Sequence, residues 1–229
     1  MFIGHFGVGF AAKEVDSKPS LGTLFVAAQF LDLLWPLFLL FGIEKVKIDP
    51  GNTAMTPLNF TYYPYSHSLL MAMVWAVLFG GIYFIFRKNI RGSLLLGGLV
   101  VSHWILDFFV HRPDLPLWPG SDFKVGLGLW NSVAIAIILE SLIFIAGVTI
   151  YLRVTHSKNK TGTIALWALL IFLILVYVMN IFGPPPDAVQ PIAILGLSQW
   201  LLVAWAYWID RNRSVQPAKS TGNREVKNV

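Results

Sequence analysis

Ser102-His103-Trp104-Ile105-Leu106-Asp107-Phe108-Phe109-Val110-His111-Arg112-Pro113-Asp114 closes an apolar run that begins at Gly92. At about 1.5 Å per residue, a helix over this run is long enough to cross a bilayer. Yet it carries His103, Asp107 and His111, each four residues from the next. At about 100° per residue these fall within about 80° of one another on one helix face. Two imidazoles flanking a carboxylate on one stripe form a donor set suited to a divalent metal. In hydrocarbon such groups are costly, so they need partners or a purpose.

The composition agrees with a membrane setting. Of 229 residues, 56% are hydrophobic and 13% charged, and mean hydropathy is +0.66. A soluble domain carries about 25% charged residues. The fold class expected is all-α: a polytopic helical membrane protein with about six transmembrane helices and a short N-terminal half-helix. Cysteine is absent, so neither a disulfide framework nor a thiolate metal site exists. The net charge of +5 does not point to nucleic acid, because basic residues in such a chain mark cytoplasmic loops. Residues 1–12 lack the basic n-region of a signal peptide and are too short to span.

In order, the spans expected are Leu21–Ile43, kinked at Pro36, then Ser66–Phe86 with Ser66 as N-cap, Gly92–His111, Leu129–Leu152, Ile164–Phe182 and Ala188–Ile209. Residues 1–209 form one membrane domain, with the polar site in 1–145 and scaffold helices in 164–209. Residues 210–229 read as a disordered basic tail. Lys45, Lys47, Arg112 and Lys124 fall on one side of these spans and all the other Lys and Arg on the opposite side. This asymmetry predicts both termini on the cytoplasmic side of the plasma (inner) membrane.

Helical rise from the basic turns gives depth. Asp32, His103, Asp107 and Glu140 all fall roughly 18–24 Å up, His5 roughly 12 Å, and His67 and His111 roughly 30 Å, near the outer surface. The expected picture is one polar cavity open to the outer side. His103 with Asp107 alone reads equally well as a hydrogen-bonded pair tying helices together. With Asp32 and Glu140 in the same layer, however, the carboxylates need compensating cations, either a metal ion or protons. By position alone His5 and His67 are weak candidates. His111, at a helix end, suits the C-terminal dipole as well as it suits ligation. Arg112, Asp114 and Lys124 are read as either solvated or bound to an anionic headgroup, Asn131 as a cap or ligand orienter, and His156 is assigned no role.

At these residues the chain resembles a known family, the membrane-bound metal-dependent hydrolases described as LexA-binding and inner-membrane-associated. The pattern there is His-x-x-x-Gly, an Asp in the next helix, Ser/Thr-His-Ser, then His-x-x-x-Asp. Here these are His5-Phe6-Gly7-Val8-Gly9, Asp32, Ser66-His67-Ser68 and His103-Trp104-Ile105-Leu106-Asp107, over roughly residues 1–120. Gln29-Phe30-Leu31-Asp32 stands where the family often has Pro-Asp-x-Asp, and Pro64-Tyr65 where an Arg often precedes the central His. His111-Arg112-Pro113-Asp114 and the segment from Gly128 to Glu140 mark a distinct branch, some of whose members are labelled permeases. The resemblance implies that His5 and His67 join Asp32, His103 and Asp107 as metal ligands.

The function expected is therefore a membrane-embedded, metal-dependent hydrolase. It would hold one or two divalent ions, with zinc favoured by the imidazoles and manganese the other candidate. Glu140 or His111 would act as general base or ligand orienter. Membrane lipids surround the chain, and a lipid or phosphoester substrate suits a site within the bilayer. The rival reading is a cation or proton transporter using the same carboxylates and histidines. A transporter requires polar residues along a route to both faces, a hydrolase a closed floor and converging ligands, and a structural protein dispersed pairs.

Overall fold

The computed structural model describes residues 1–216. The chain is an all-α polytopic membrane protein; the described residues hold five stretches long and apolar enough to span, the last running through Val189–Arg211, and a bent pair of shorter helices, Leu21–Ala28 and Phe30–Leu40. The elements in order begin with α1 (Ile3–Val15), α2 (Leu21–Ala28), α3 (Phe30–Leu40), the hairpin β1 (Lys45–Ile48) and β2 (Leu58–Tyr62), and α4 (Pro64–His67). Then come α5 (Leu69–Arg87), α6 (Ile90–Val110), the small pair β3 (Leu115–Pro116) and β4 (Lys124–Val125), and α7 (Val133–Val154). The remainder is β5 (Thr155–Ser157), α8 (Lys160–Phe182), α9 (Val189–Leu197), α10 (Gln199–Arg211) and β6 (Arg213–Val215). Every two-stranded pair is antiparallel, β5 with β6 included.

Helix α1 is the expected half-helix. Thirteen residues give about 20 Å, short of the ~30 Å hydrocarbon layer, so protein must enclose it. It lies against α2, α6 and α7, with Phe6 and Phe10 buried. Lipid tails are as apolar as phenylalanine, so burial alone does not drive this docking; close packing and small residues do. A Cβ on Gly7 would stand 2.7 Å from the Ile143 carbonyl oxygen, and one on Gly147 would overlap the Gly7 carbonyl. The two backbones touch because both glycines are bare. At the start of α1, Glu140 of α7 accepts the Phe2 N–H (2.8 Å) and the Gly4 N–H (3.3 Å). These are donors that a helix N-terminus leaves unpaired.

Several boundaries differ from the sequence expectation. The first span does not kink at Pro36. It breaks at Gln29, where α2 and α3 meet at 59°, and Pro36 continues inside α3, packed near Gly196 of α9. Ser66 does not cap the second span; Ser68 does, accepting the Met71 N–H at 3.3 Å. The fourth span starts at Val133, after a 3-10 turn over Leu129–Asn131, with Ser132 rather than Asn131 as cap. Helix α6 ends at Val110, and His111 is extended. It therefore leaves the stripe of His103 and Asp107. Nor does the disordered tail expected from Asp210 hold for residues 210–216. α10 runs to Arg211, and the buried Arg213 guanidinium donates to Thr155, Ser157 and Gly162. The expectation for residues 217–229 lies outside the described residues.

The packing forms two buried regions. Phe10, Leu21, Phe25, Phe144, Tyr151, Leu169 and Ile209 centre one, which joins α1, α2, α7, α8 and α10. Leu24, Leu31, Trp35, Phe60, Leu96 and Trp104 centre the other, which joins α2, α3, α6 and the β1–β2 hairpin. The ionisable residues meet where α1, α3, α4 and α6 converge.

Candidate metal centre

His103 anchors the site. The break at Gln29 frees the Ala28 carbonyl, which lies 2.8 Å from His103 Nδ1. A carbonyl only accepts, so Nδ1 carries the proton. The other nitrogen, Nε2, has no hydrogen-bond partner among the described residues. In a neutral ring it presents a lone pair, and it faces Asp107 Oδ2 at 3.2 Å and Asp32 Oδ1 at 3.7 Å. An acceptor aimed at two carboxylates calls for positive charge, either a proton on the ring or a metal ion between them.

His67 repeats this logic from the opposite side. The Ser66 hydroxyl donates to Glu44 Oε2 at 2.6 Å and lies 2.7 Å from His67 Nδ1. With its one proton given to Glu44, Ser66 accepts from Nδ1–H, and Nε2 is left bare. That atom faces Asp32 Oδ1 at 3.4 Å and Asp107 Oδ2 at 3.8 Å. Glu44 is held further by the Tyr65 and Ser66 amides, each 2.8 Å from Oε1. Burial pushes the Glu44 carboxyl up, and these Ser66 and Tyr65 donors pull against it. Trp104 Nε1 donates to the His67 carbonyl at 2.9 Å and fixes the backbone of α4.

The four separations between the Nε2 atoms of His67 and His103 and the carboxylates run from 3.2 to 3.8 Å. An imidazolium–carboxylate hydrogen bond closes to about 2.7–2.9 Å. Two ligands on one tetrahedral zinc, each about 2.0–2.2 Å from the metal, stand about 3.4 Å apart. The donors thus sit at the spacing of ligands around a shared ion. His5 completes the group. Its ring stacks on His103 with centroids 3.6 Å apart, and its Nε2 is 3.1 Å from Asp107 Oδ1, which the Met1 amino group also contacts. Two overlapping triads have geometry able to hold an ion: His5, His103 and Asp107, and Asp32, His67 and His103.

The structure therefore brings His5, Asp32, His67, His103 and Asp107 together. Glu140 binds backbone amides of α1 instead and acts on the cluster through the helix that carries His5. His111 belongs to a neighbouring group. Its Nδ1 is 2.9 Å from Asp114 Oδ1, which also accepts the Tyr63 hydroxyl at 2.9 Å, and its ring lies 4.3 Å from that of Trp130. Arg112 donates to Asp114 and to Asn59. His156 stays apart, beside Ser214.

Two expectations about depth change. His67 does not stand high above the layer of Asp32 and Asp107, because α4 ends at His67, Ser68 is extended before α5 begins, and the loop folds back to the cluster. Nor do the described residues of the cluster line a wide open polar cavity. His5, His67, His103 and Asp107 are buried, and Asp32, with its side chain 24% exposed, is the member of the cluster open to its surroundings. Sequence reasoning missed Glu44, the Ser66 hydroxyl in its relay, and Trp104. It also missed Gln29, whose buried amide has no partner among the described residues. The spacing Ser66-His67 was visible, but Glu44 lies 22 residues away and carries no local signal.

No curated protein and no solved structure matches the chain. The sequence model of the YdjM inner membrane protein family matches residues 64–183, a range that includes His67, His103, Asp107, His111 and Glu140 and follows His5 and Asp32. That range covers more than half of the chain, and with its apolar spans and buried His/Asp cluster the chain belongs to the YdjM inner membrane protein family.

Proposed function

We propose that this protein is a metal-dependent hydrolase acting within the membrane. The observation that carries the reading is the bare Nε2 of His103, aimed at two carboxylates at metal-ligand spacing. His67, His103, Asp32 and Asp107 would hold the ion, zinc by the preference of imidazoles, with His5 steadying the second oxygen of Asp107. A bound zinc ion would supply an activated water and polarise an ester or phosphoester.

The remaining work falls to the chain. Asp32 is the exposed donor, so substrate and water approach on its side. It meets both histidines through Oδ1, which leaves its second oxygen to take a proton. Glu44 and Ser66 fix the His67 tautomer, and the Ala28 carbonyl fixes that of His103. Glu140 holds α1, and with it His5, in place. Phe10 and Phe25 lie fully buried in one apolar core and Leu24, Leu31 and Leu96 in the other, where α1, α2, α3 and α6 pack. Such apolar packing favours a hydrolase over a transporter, whose polar path would continue to both faces.

The test is elemental analysis of the detergent-purified protein beside His103→Ala and Asp107→Ala variants that still fold. Near-stoichiometric zinc or manganese, lost in both variants, is the expected result, followed by turnover of a phosphoester or lipid ester by the loaded parent. A parent that takes up no divalent ion after reconstitution overturns the reading.

A further inference from the structure

A second polar feature lies at the opposite end of the bundle from the β1–β2 hairpin. A cavity of about 600 Å³ opens between α2, α5 and α10, lined by Lys18, Arg87 and Arg211 on its rim and by Phe79, Ile82 and Phe86 on its wall. The three cations come from the turn before α2, the last turn of α5 and the last turn of α10. They therefore share one level, where spans end and headgroups begin. None of the three forms an ion pair among the described residues. Asp210, the one acid among the described residues that line the cavity, is paired with the buried Lys13 at 3.1 Å, so it does not cancel the rim charge. Ser20, Thr23 and Tyr207 add hydroxyls, and Thr23 and Tyr207 are hydrogen-bonded to each other at 3.0 Å. Ile82 and Phe86 face outward along α5, where an acyl chain would run.

From this placement of three cations and hydroxyls over an apolar wall at the interface, we infer that the cavity binds the headgroup of an anionic phospholipid, with the acyl chain against α5. The phosphodiester lies between Lys18, Arg87 and Arg211, and its polar substituent meets the hydroxyls. The site is separate from the His/Asp cluster and does not depend on a metal. Each basic residue near an anionic headgroup contributes about fivefold in affinity, so removing all three costs on the order of 100-fold.

The experiment titrates the purified full-length protein in detergent with dihexanoyl phosphatidylglycerol and dihexanoyl phosphatidylcholine, read by tryptophan fluorescence and native mass spectrometry. The comparison variant is Lys18→Gln/Arg87→Gln/Arg211→Gln. All three side chains are exposed, so the variant keeps the fold, and an unchanged melting temperature verifies this. Expected are tighter binding of the anionic lipid, its loss in the triple variant, weakening by salt, and weakening in Phe86→Asn, which tests the wall. Equal binding of the two lipids, or no change in the triple variant, overturns the inference. So does full competition by inorganic phosphate at the lipid's own concentration, which would mark a site for free phosphate.

Discussion

Replacing Ser66 by alanine removes one oxygen and tests the logic of the metal centre directly. The hydroxyl makes two short contacts, 2.6 Å to Glu44 and 2.7 Å to His67 Nδ1. Without it, His67 Nδ1–H is buried with no acceptor, at a cost of about 1–3 kcal/mol. The ring has a way out: it can move its proton to Nε2 and donate to Asp32, 3.4 Å away. That tautomer satisfies the apo protein but blocks the ligand position. Binding a metal must then either reverse the proton shift or proceed without His67. Losses of this kind amount to 10–100-fold in metal affinity, about 1.4–2.7 kcal/mol. Glu44 keeps its two amide donors, so the apo fold loses only about 1 kcal/mol, the net worth of one hydrogen bond. Competition with a chromophoric zinc chelator, alongside thermal unfolding of the metal-free protein, separates the two effects. Affinity unchanged in Ser66→Ala, in a protein whose His103→Ala variant no longer binds, would refute the relay. A collapse of the apo fold would show that Ser66 is structural instead.

Other perturbations follow from the same geometry. Gly147→Leu should push α1 off α7, lowering the melting temperature and releasing His5 from Asp107, whereas Gly81→Leu, where a Cβ meets nothing within 4 Å, should be neutral; metal stoichiometry and unfolding check both. Burial pulls Asp114 up, but the His111 hydrogen bond and charge, aided by Tyr63 and Arg112, hold its carboxyl below the ordinary value. Its folded pKa is thus below the unfolded value of about 3.9, so its stabilisation is complete above that pH and lost as pH falls through the folded value. The melting-temperature gap between parent and Asp114→Asn should be constant at neutral pH and shrink steadily as pH falls below about 4; a gap that does not change with falling pH counts against the network. Arg213→Ala should free β6 from β5 and expose residues 155–163 to protease, since the guanidinium is buried and holds Thr155, Ser157 and Gly162 together.

The spans were legible because each is an apolar run of about 20 residues closed by basic or Pro/Gly-rich turns, and hydropathy is a one-dimensional property. His103 and Asp107 were legible because both sit on one straight helix, where i and i+4 fix a shared face. What escaped were the breaks. Depth counted at 1.5 Å per residue assumes a continuous helix, and that assumption placed His67 far above Asp32. The chain turns at Ser68 and at Gln29, and neither turn has the glycine or proline that marks one locally; Pro36, which looked like the break, fits inside α3. His111 failed for the converse reason. Its spacing fits the stripe, but α6 stops one residue earlier, before Arg112-Pro113, where a proline disfavours helix in the residue before it.

The breaks and the site share a cause. On straight, packed spans, side chains from different helices meet only in pairs near the contact line. Bringing five donors into two overlapping triads needs backbone that ends or bends inside the bundle. Three of the five arrive on such pieces: His5 on the half-helix α1, Asp32 just after the break at Gln29, and His67 at the end of α4. Each interruption exposes backbone groups that hydrocarbon cannot satisfy, and each is tolerated only where protein supplies a partner. Here the partners are the site's own members or their neighbours. Ala28 takes His103, Glu44 takes the Tyr65 and Ser66 amides, and Glu140 takes the start of α1. A carboxylate that caps a helix end and a histidine that binds a freed carbonyl are therefore supports for the ligands, and removing either should loosen the metal centre before it unfolds the bundle.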